Sequence, residues 1–355
     1  MTDRNTGDPA HGEPRADRRS LLLGTLAAGV GVLGATRVAS AADVHAPATQ
    51  QAPGDGNQTM ASSTPAGAPN SEAILKGKLA VVTGAARGIG RSIAVEYAAN
   101  GADVMGLDIC GPASAATAYP HSTRADLDET ERLVKAHGRR FMPVVADIRD
   151  LKALRKAADD VAAQMGQVHI VVADAGIQLF KPLLEMTDAE WQDPLDVNLT
   201  GTANTIRAFG PALVKGGGGR IIVLASMQGR YGTKNGSSYS ASKWGILGLM
   251  KSAALELGQH KITVNAVIPG LIDTPMTRNE TRWREAIASY TGRMVSDPTQ
   301  AEAEAALKPH LPLGVPWLSP DQVAPAAVFL ASDAAAMVTG AAYDVTGGDS
   351  AHDTA

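Results

Sequence analysis

Residues 79–90 read Leu79-Ala80-Val81-Val82-Thr83-Gly84-Ala85-Ala86-Arg87-Gly88-Ile89-Gly90. A short apolar run leads into a glycine-rich turn, and a helical pattern follows the turn as far as Ala99. The apolar run predicts a buried strand, and the glycines predict a tight turn into the helix. Such a turn lets backbone approach a pyrophosphate, while the helix N-terminus supplies N–H donors and a positive dipole end. The stretch therefore predicts the opening strand, turn and helix of a nucleotide-binding domain.

Short apolar runs alternate with helical patterns through the rest of the chain. The predicted strands are Leu79–Val82, Asp103–Leu107, Met142–Ala146, Ile170–Ala173, Ile221–Leu224, Thr263–Val267 and Ala342–Val345. The predicted helices are Arg91–Ala99, Asp126–His137, Asp150–Met165, Asp188–Phe209, Tyr239–Gly258 and Asp321–Ala331. Strict alternation implies right-handed crossovers and a parallel sheet covered on both faces. We expect a Rossmann-type, doubly wound α/β fold in three αβα layers, with about seven strands.

The residues before this domain have a different composition. A twin arginine, Arg18-Arg19, precedes an apolar, Gly/Ala-rich run and the A-x-A sequence Ala39-Ser40-Ala41. This order predicts a twin-arginine signal peptide over residues 1–41 and an exported, periplasmic protein. Residues 42–73 have almost no large apolar side chain and predict a disordered linker before a folded domain over residues 74–355. The alternative is a cytoplasmic protein with a disordered extension.

Bulk composition excludes several function classes. The chain has 355 residues, a formal net charge of −4 and a single cysteine, Cys110. The slight acidity favours neither nucleic acid nor an anionic membrane as a partner. One cysteine forms no intramolecular disulfide, and no Cys/His spacing indicates a metal site. The apolar run of the signal is also too short for a stable membrane span.

The nucleotide end of the predicted sheet carries two carboxylates. Asp108 ends the second strand, about 20 residues past the glycines, where an acid binds adenosine ribose hydroxyls and repels a 2′-phosphate. It favours NAD over NADP, whereas Arg87 in the glycine turn is the residue that argues for NADP. Asp147 follows the third strand and either accepts from the adenine amino group or caps the next helix.

Four polar side chains mark the chemical end. Tyr239 and Lys243 are four residues apart on a predicted helix, so both project from one face. The ammonium should lower the pKa of the phenol, which then exchanges a proton with an alcohol or carbonyl oxygen. Ser226 ends the fifth strand at the ligand-binding edge of the sheet. Asn198 lies within a predicted helix, where asparagine is unfavourable without a specific role.

Taken together, the TGxxxGxG turn, Asn198, Ser226 and Tyr239-xxx-Lys243 resemble the single-domain branch of the short-chain dehydrogenase/reductase family. The resemblance covers residues 74–350. It implies a nicotinamide cofactor, Tyr239 as acid/base, Ser226 as a ligand of the substrate oxygen, Lys243 on the nicotinamide ribose, and Asn198 as the anchor of a proton-relaying water. The cofactor contacts implied are Gly84, Arg87, Gly88, Ile89, Gly90, Asp108, Asp147, Ile148, Asp174, Ala175, Gly176, Tyr239, Lys243, Pro269, Ile272 and Thr274.

One position departs from the family pattern. Asp174-Ala175-Gly176 follows the fourth strand, where the family has Asn-Ala-Gly. An ionised aspartate accepts hydrogen bonds but does not donate them. We expect a local adjustment with activity retained.

The segment from Asp108 to Arg140 is long for a second crossover and resembles the mycofactocin-associated, carveol dehydrogenase-like subgroup. That resemblance implies tightly held NAD, an external electron carrier and small secondary or terpene alcohols as substrates. A lid between Met276 and Pro320 carries Trp283, Tyr290, Met294 and Trp317. These residues favour a small apolar alcohol or ketone as substrate, and the alternative is that they form an oligomer contact. The family also implies a homodimer or homotetramer through the helices that contain Asn198 and Tyr239.

These observations predict an NAD-dependent oxidoreductase that interconverts a secondary alcohol and a ketone. Two alternatives stay open, an NADPH-linked carbonyl reductase and a nucleotide-binding scaffold without turnover. The intact Ser226, Tyr239 and Lys243 argue against the scaffold.

Overall fold

One parallel sheet organises the domain. A computed structural model describes residues 73–352, in which seven strands lie in the order β3-β2-β1-β4-β5-β6-β7. The strands are β1 Leu79–Thr83, β2 Asp103–Asp108, β3 Phe141–Val145, β4 Ile170–Ala173, β5 Gly219–Leu224, β6 Ile262–Pro269 and β7 Ala342–Val345. The predicted Rossmann-type αβα fold is thus confirmed. The predicted signal peptide and nearly all of the linker lie outside the described residues.

The α-helices of the described residues cover the sheet and form the lid. They are α1 Gly88–Ala99, α2 Arg124–Ala136, α3 Leu151–Gln164, α4 Asp188–Pro194, α5 Gly201–Lys215, α6 Ser237–Leu257, α7 Glu280–Thr291, α8 Gln300–Leu307 and α9 Pro320–Ala331. Across residues 73–352 no helix has the length and apolarity needed to cross a membrane.

The order of the strands places the ligand site. The chain winds outward from β1 to β3 on one side, and then returns to place β4 beside β1. In open α/β sheets ligands bind outside the carboxyl ends of the strands at the point where the winding reverses. That point is the junction of the loops after Thr83 and Ala173.

Each face of the sheet has its own apolar core. Val81 packs with Phe209 and Met250 on the side of α3, α5 and α6. Val82 packs with Tyr97 and Leu330 on the side of α1 and α9. Alternate residues of one strand therefore enter opposite cores, which explains why the strands are apolar throughout.

Two segments differ from the sequence prediction. The predicted helix Asp188–Phe209 is interrupted by a π-helical segment, Leu195–Thr200, between α4 and α5. The lid contains two helices, α7 and α8, which the sequence prediction left as loop. Asn279 caps α7 and Thr299 caps α8 through side-chain bonds to backbone N–H groups, so both helices carry recognisable start signals.

We predict opposite effects of alanine at two glycines. A Cβ at Gly106 of β2 would lie 2.3 Å from the Phe141 ring, so Gly106→Ala should lower the free energy of unfolding by about 1–3 kcal/mol. A Cβ at the exposed Gly248 of α6 would meet no heavy atom within 4 Å apart from its chain neighbours and the nearby backbone of its own helix. Gly248→Ala should raise the same quantity by about 0.5–1 kcal/mol. Denaturant unfolding measures both, and a stabilised Gly106→Ala would contradict this packing.

Candidate active site

A cavity of about 480 Å³ opens at the reversal of strand winding. It runs from the glycine turn after β1 to the N-terminal part of α6 and onward to α7 of the lid. The predicted residues that line it are Gly84, Arg87, Gly88, Ile89, Asp108, Asp147, Ile148, Asp174, Ala175, Gly176, Ser226, Tyr239, Lys243, Pro269, Ile272 and Thr274. Gly90 and Asn198, the other predicted site residues, do not line the cavity.

The glycine turn fits the close approach of a phosphate. Gly84 and Gly88 have φ values of +73° and +61°, which L side chains rarely adopt. A Cβ at Gly90 would lie 2.3 Å from the carbonyl oxygen of Gly84. The turn is therefore closed by backbone packing at Gly90, while Gly88 faces the cavity beneath the Thr274 methyl group.

Asp108 is fixed in the orientation that NAD recognition requires. Its buried carboxylate accepts from the N–H groups of Ala86 at 3.1 Å and Cys110 at 3.0 Å, and from the Ser122 hydroxyl at 2.6 Å. A carboxylate has about four acceptor sites, so one is left for a ribose hydroxyl. The same negative charge opposes a 2′-phosphate. The site fits NAD.

Arg87 is held by the crossover segment, residues 109–123. Its guanidinium donates to the carbonyl oxygen of Pro120. The segment also supplies Ser122 to Asp108, so it is tied to both the glycine turn and the end of β2. Arg87 therefore anchors the crossover segment as well as lining the nucleotide end of the cavity.

Tyr119 attaches the crossover segment to the loop after β4. Its hydroxyl accepts from the backbone N–H of Gln178 at 3.0 Å, in the loop that follows β4. Burial raises the pKa of Tyr119 to about 12, although the Gln178 bond lowers it. Sequence reasoning identified this segment only by its length and did not assign Tyr119 or Ser122 to the site.

Asp147 pairs with its own neighbour. Its carboxylate accepts from Arg149 Nη2 at 2.6 Å, from Nε at 2.8 Å and from the backbone N–H at 2.9 Å. Burial acts to raise its pKa, but these bonds lower it overall. The alternative of a helix cap is wrong, because Asp150 caps α3. An adenine contact stays a prediction.

Asn198 has a clear reason for its position. It is fully buried in the π-helical segment, and its Oδ1 accepts from the Ile177 N–H at 2.8 Å. Its Nδ2 donates to the Ile177 carbonyl and the Ser242 hydroxyl, both at 2.9 Å. Asn198 thus joins the loop after β4 to α6, and π-helical turns of this kind are frequent at functional sites. The relay of protons through a bound water stays a prediction.

Ser226, Tyr239 and Lys243 lie together in the cavity wall. The Ser226 hydroxyl accepts from the Gln228 N–H at 3.2 Å, and its interaction with the Tyr239 hydroxyl acts to lower the pKa of the tyrosine. The Lys243 Nζ lies 5.6 Å from the centre of the Tyr239 ring and donates to the Leu224 carbonyl at 2.7 Å. Helix α6 thus presents the phenol and the ammonium beside the carboxyl end of β5, as the four-residue spacing predicts.

The predicted lowering of the tyrosine pKa is wrong for this structure. Burial raises the pKa of Tyr239 to about 12, and the Ser226 interaction and the charge of Arg282 only partly offset it. Burial also lowers the pKa of Lys243 to about 8, against the influence of Asp174. Desolvation dominates because both groups are more than nine-tenths buried.

Asp174 replaces the family's asparagine without breaking the loop contacts. A Cβ at Gly90 would lie 2.7 Å from its Oδ2, so the carboxyl group packs against the start of α1, and the Asp174 N–H donates to the Thr83 hydroxyl at 3.2 Å. Burial raises the pKa of Asp174 to about 7, while the charge of Lys243 and the nearby Gly90 N–H act to lower it. The expected local adjustment is therefore a carboxyl group that is protonated more easily than usual.

Helix α7 of the lid brings mostly polar side chains to the cavity. Trp283 and Trp317 belong to a separate small core with Ile287 and Leu307, and Met294 is exposed. Of the four predicted lid residues, Tyr290 lines the cavity, together with Arg282, Glu285 and Ser289 of the same helix. The two tryptophans do not reach the cavity, because they pack in the lid's own core.

Comparison with known proteins defines the class. The model of the short chain dehydrogenase family matches residues 78–285. The chain therefore belongs to the short-chain dehydrogenase family, as its motifs predicted.

Similar proteins extend over the whole described domain. A (−)-trans-carveol dehydrogenase of Rhodococcus erythropolis is 37% identical over 279 residues, which are 78% of this chain and 98% of that protein. An NAD-dependent oxidoreductase of Mycobacterium tuberculosis is 40% identical, over 75% of this chain and 93% of that protein. The crystal structure of carveol dehydrogenase from Mycobacterium avium in complex with NAD has a TM-score of 0.74 and 40% identity, covering 78% of this chain and 98% of that one.

We predict that Asp174→Asn stabilises the protein in a pH-dependent manner. The carboxyl pKa is about 3.9 when unfolded and about 7 when folded, so the folded state binds more protons between these values. The contribution of Asp174 to the free energy of unfolding therefore falls as the pH rises from about 4 to about 7. Asp174→Asn should raise the free energy of unfolding by about 1–2 kcal/mol at pH 8 and by much less at pH 4.5.

Thermal unfolding at the two pH values measures this difference. The loss of attraction to Lys243 limits the gain, which is why it falls short of the full pKa change. Destabilisation of Asp174→Asn at pH 8 would show that the contacts of the carboxylate outweigh its desolvation.

Proposed function

We propose that the protein is an NAD-dependent dehydrogenase that interconverts a secondary alcohol and a ketone. The observation that carries the proposal is that Ser226, Tyr239 and Lys243 share one cavity with the glycine turn and Asp108. A hydroxyl-bearing carbon placed beside Tyr239 would then lie within the same cleft as the nicotinamide end of a dinucleotide.

The side chains divide the work. Ser226 holds the substrate oxygen, and Tyr239 takes the hydroxyl proton during oxidation or returns it during reduction. Lys243 places a positive charge beside the phenol, and Arg282 adds a second that lowers the tyrosine pKa. Bound NAD supplies the hydride acceptor. Asn198 fixes α6 against the loop after β4, and so keeps Tyr239 in position.

Asp108 favours NAD as the cofactor. Its fixed carboxylate suits a free ribose and repels a 2′-phosphate, and relatives with NAD in their names or titles share the fold. The NADPH-linked reductase requires a cation for the 2′-phosphate. Arg87 is engaged with Pro120, which weighs against that alternative.

We infer that the nucleotide is held tightly and reoxidised by an external electron carrier. The crossover segment lines the cavity and is bonded to the glycine turn, to Asp108 and to the loop after β4. This closure supports the resemblance to the mycofactocin-associated subgroup. Bound NAD would also suit export by the predicted twin-arginine signal, because that route carries folded proteins.

A homodimer or homotetramer is the proposed assembly. Trp244 and Leu255 of α6 are 52% and 86% exposed, and they would offer apolar surface to a second copy of the chain. Light scattering of the purified protein distinguishes the proposed assembly from a monomer.

The proposed function is tested with secondary alcohols. Mature protein is given each alcohol with free NAD in one series and with an electron-accepting dye in the other. Steady NADH formation would support a dehydrogenase with exchangeable NAD and would contradict retention. Turnover with dye alone would support retention. Loss of all turnover in both series, with nucleotide bound, would favour the scaffold.

Tyr239→Phe is the matched catalytic control. It removes one hydroxyl and should lower kcat by at least about a hundredfold, because no other group replaces the acid/base. Nucleotide content, measured after denaturing release, should equal that of the unchanged protein. Undiminished turnover would remove Tyr239 from the mechanism.

We predict that Tyr119→Phe loosens the nucleotide. The change removes the acceptor of the Gln178 N–H and one attachment of the crossover segment. The dissociation rate of NAD, followed by exchange with labelled NAD, should rise by about tenfold. Tyr343→Phe, in β7 and away from the cavity, should leave that rate unchanged. An unchanged rate in Tyr119→Phe would contradict the role of this attachment.

A further inference from the structure

Arg282 is a cavity-lining cation that the mechanism does not require for substrate binding. It lies on the first turn of α7, and its guanidinium carbon sits 4.4 Å from the centre of the Phe180 ring. Its Nε is buried without a hydrogen-bond partner. None of the ion pairs found among residues 73–352 includes Arg282. A guanidinium has five N–H donors, and a buried one normally finds hydrogen-bond acceptors for them.

The acidic groups near Arg282 do not form an ion pair with it among the described residues. Glu285 acts on Arg282 at longer range, and its own carboxylate accepts from Asn235 Nδ2 at 3.0 Å. Lys234 and Asp349 line the same cavity, and Asp349 has interactions of its own. The fork of Arg282 thus faces a cavity in which no described carboxylate is bound to it.

Arg282 shares the cavity with the acid/base tyrosine. Both Arg282 and Tyr239 line it, and the charge of Arg282 acts to lower the pKa of Tyr239. Phe180 fixes the guanidinium plane by stacking, which reduces the loss of side-chain entropy when a ligand binds.

Two glutamines add further polar groups to the cavity wall. The Oε1 atoms of Gln178 and Gln228 are buried and have no hydrogen-bond partner, and both residues line the cavity. Unpaired polar atoms of this kind are costly unless a ligand or water satisfies them. The cavity therefore combines polar groups that lack partners with apolar lid residues such as Leu307, Leu311 and Val315, and it suits a substrate with both a polar and an apolar part.

We propose that Arg282 binds a carboxylate on the substrate, so that the preferred substrates are secondary alcohols that carry a carboxylate, and their oxo acids. The inference rests on the proposed dehydrogenase function and specifies its substrate class. A planar guanidinium matches a carboxylate with two parallel hydrogen bonds, whereas a neutral hydroxyl leaves the charge uncompensated.

The reaction balances with the groups already placed. With oxidised NAD bound, the carbinol carbon of the hydroxy acid would lose its hydride to the nicotinamide, and the hydroxyl proton would pass to Tyr239 in its phenolate form. The products are the oxo acid, NADH and protonated Tyr239, and the substrate carboxylate stays unchanged on Arg282.

The test compares each acid with its methyl ester. Lactate, 3-hydroxybutanoate and 4-hydroxypentanoate vary the distance between the two groups, and each ester removes the charge but keeps the alcohol. For at least one length, kcat/KM should favour the acid by about tenfold or more. Arg282→Met should reduce that ratio to near 1 through KM, and Arg282→Lys should restore it in part.

Arg284→Met is the matched control on the same helix. Arg284 donates to the carbonyl groups of Val295 and Ser296 and does not line the cavity. The acid-to-ester ratio should survive this change. Equal kcat/KM for acids and esters at all three lengths would overturn the proposal. So would an equal loss on acids and esters in Arg282→Met with a shifted pH profile, because Arg282 would then act on Tyr239 alone.

A binding measurement separates this proposal from the proposed function. Calorimetry with the NAD-loaded protein compares 3-methylbutanoate with 3-methylbutanamide, neither of which is a secondary alcohol. The acid should bind at least about tenfold more tightly than the amide, and Arg282→Met should abolish the difference. Tighter binding of the acid without any alcohol turnover would contradict the proposed dehydrogenase function and support the anion site. Equal binding of acid and amide would overturn the anion site, whatever the turnover.

Discussion

The Thr83 hydroxyl joins the two loops on which the site depends. It lies at the end of β1, donates to the Val172 carbonyl, and accepts from the N–H groups of Asp174 at 3.2 Å and Ala175 at 3.3 Å. A Cβ at Gly84 would lie 2.9 Å from the Ala175 backbone, so only glycine permits this approach. The loop after β4 is thereby held against the glycine turn, and Asn198 holds the next part of that loop against α6. The nucleotide end and the chemical end are positioned by one continuous set of contacts.

Desolvation sets the electrostatics of this arrangement. Asp174, Tyr239 and Lys243 each favour the neutral form more than in water, and the attraction between Asp174 and Lys243 only partly opposes this trend. A neutral phenol and an easily discharged ammonium are poised for proton exchange with a substrate oxygen. Positive charge brought in with a bound nicotinamide would act in the direction of phenolate. The helix spacing of Tyr239 and Lys243 creates proximity, and burial decides the pKa values.

Local patterns in the sequence predicted the sheet and the catalytic side chains. The predicted strand Ile170–Ala173 has the same bounds in the structure. A fully apolar run between turn signals is typical of a strand in a parallel sheet, because such a strand is buried on both faces. The common position of Tyr239 and Lys243 was equally predictable, because residues four apart on a helix lie on the same face. Gly84 and Gly88 were predicted to form a tight turn, and both have positive φ values in the structure.

Features that depend on packing between distant segments were not predictable. The attachment of Arg87 to Pro120 and of Tyr119 to Gln178 joins residues 33 and 59 positions apart. The tryptophans of the lid were assigned to the substrate site, because an aromatic residue in a sequence does not reveal which core it joins. Arg282 was missed for the related reason that a helical arginine is usually solvated, and its isolation becomes visible only with the cavity.

The most direct measurement of the central claim is a single turnover with a labelled alcohol. An alcohol that carries deuterium on the carbinol carbon is added in excess to the NAD-loaded protein, and the nucleotide is then released and weighed by mass spectrometry. We expect one deuterium in the reduced nucleotide of each active protomer, and none when Tyr239→Phe is treated in the same way. A reduced nucleotide without label, or a ketone formed while the nucleotide stays oxidised and unlabelled, would contradict hydride transfer in this cavity.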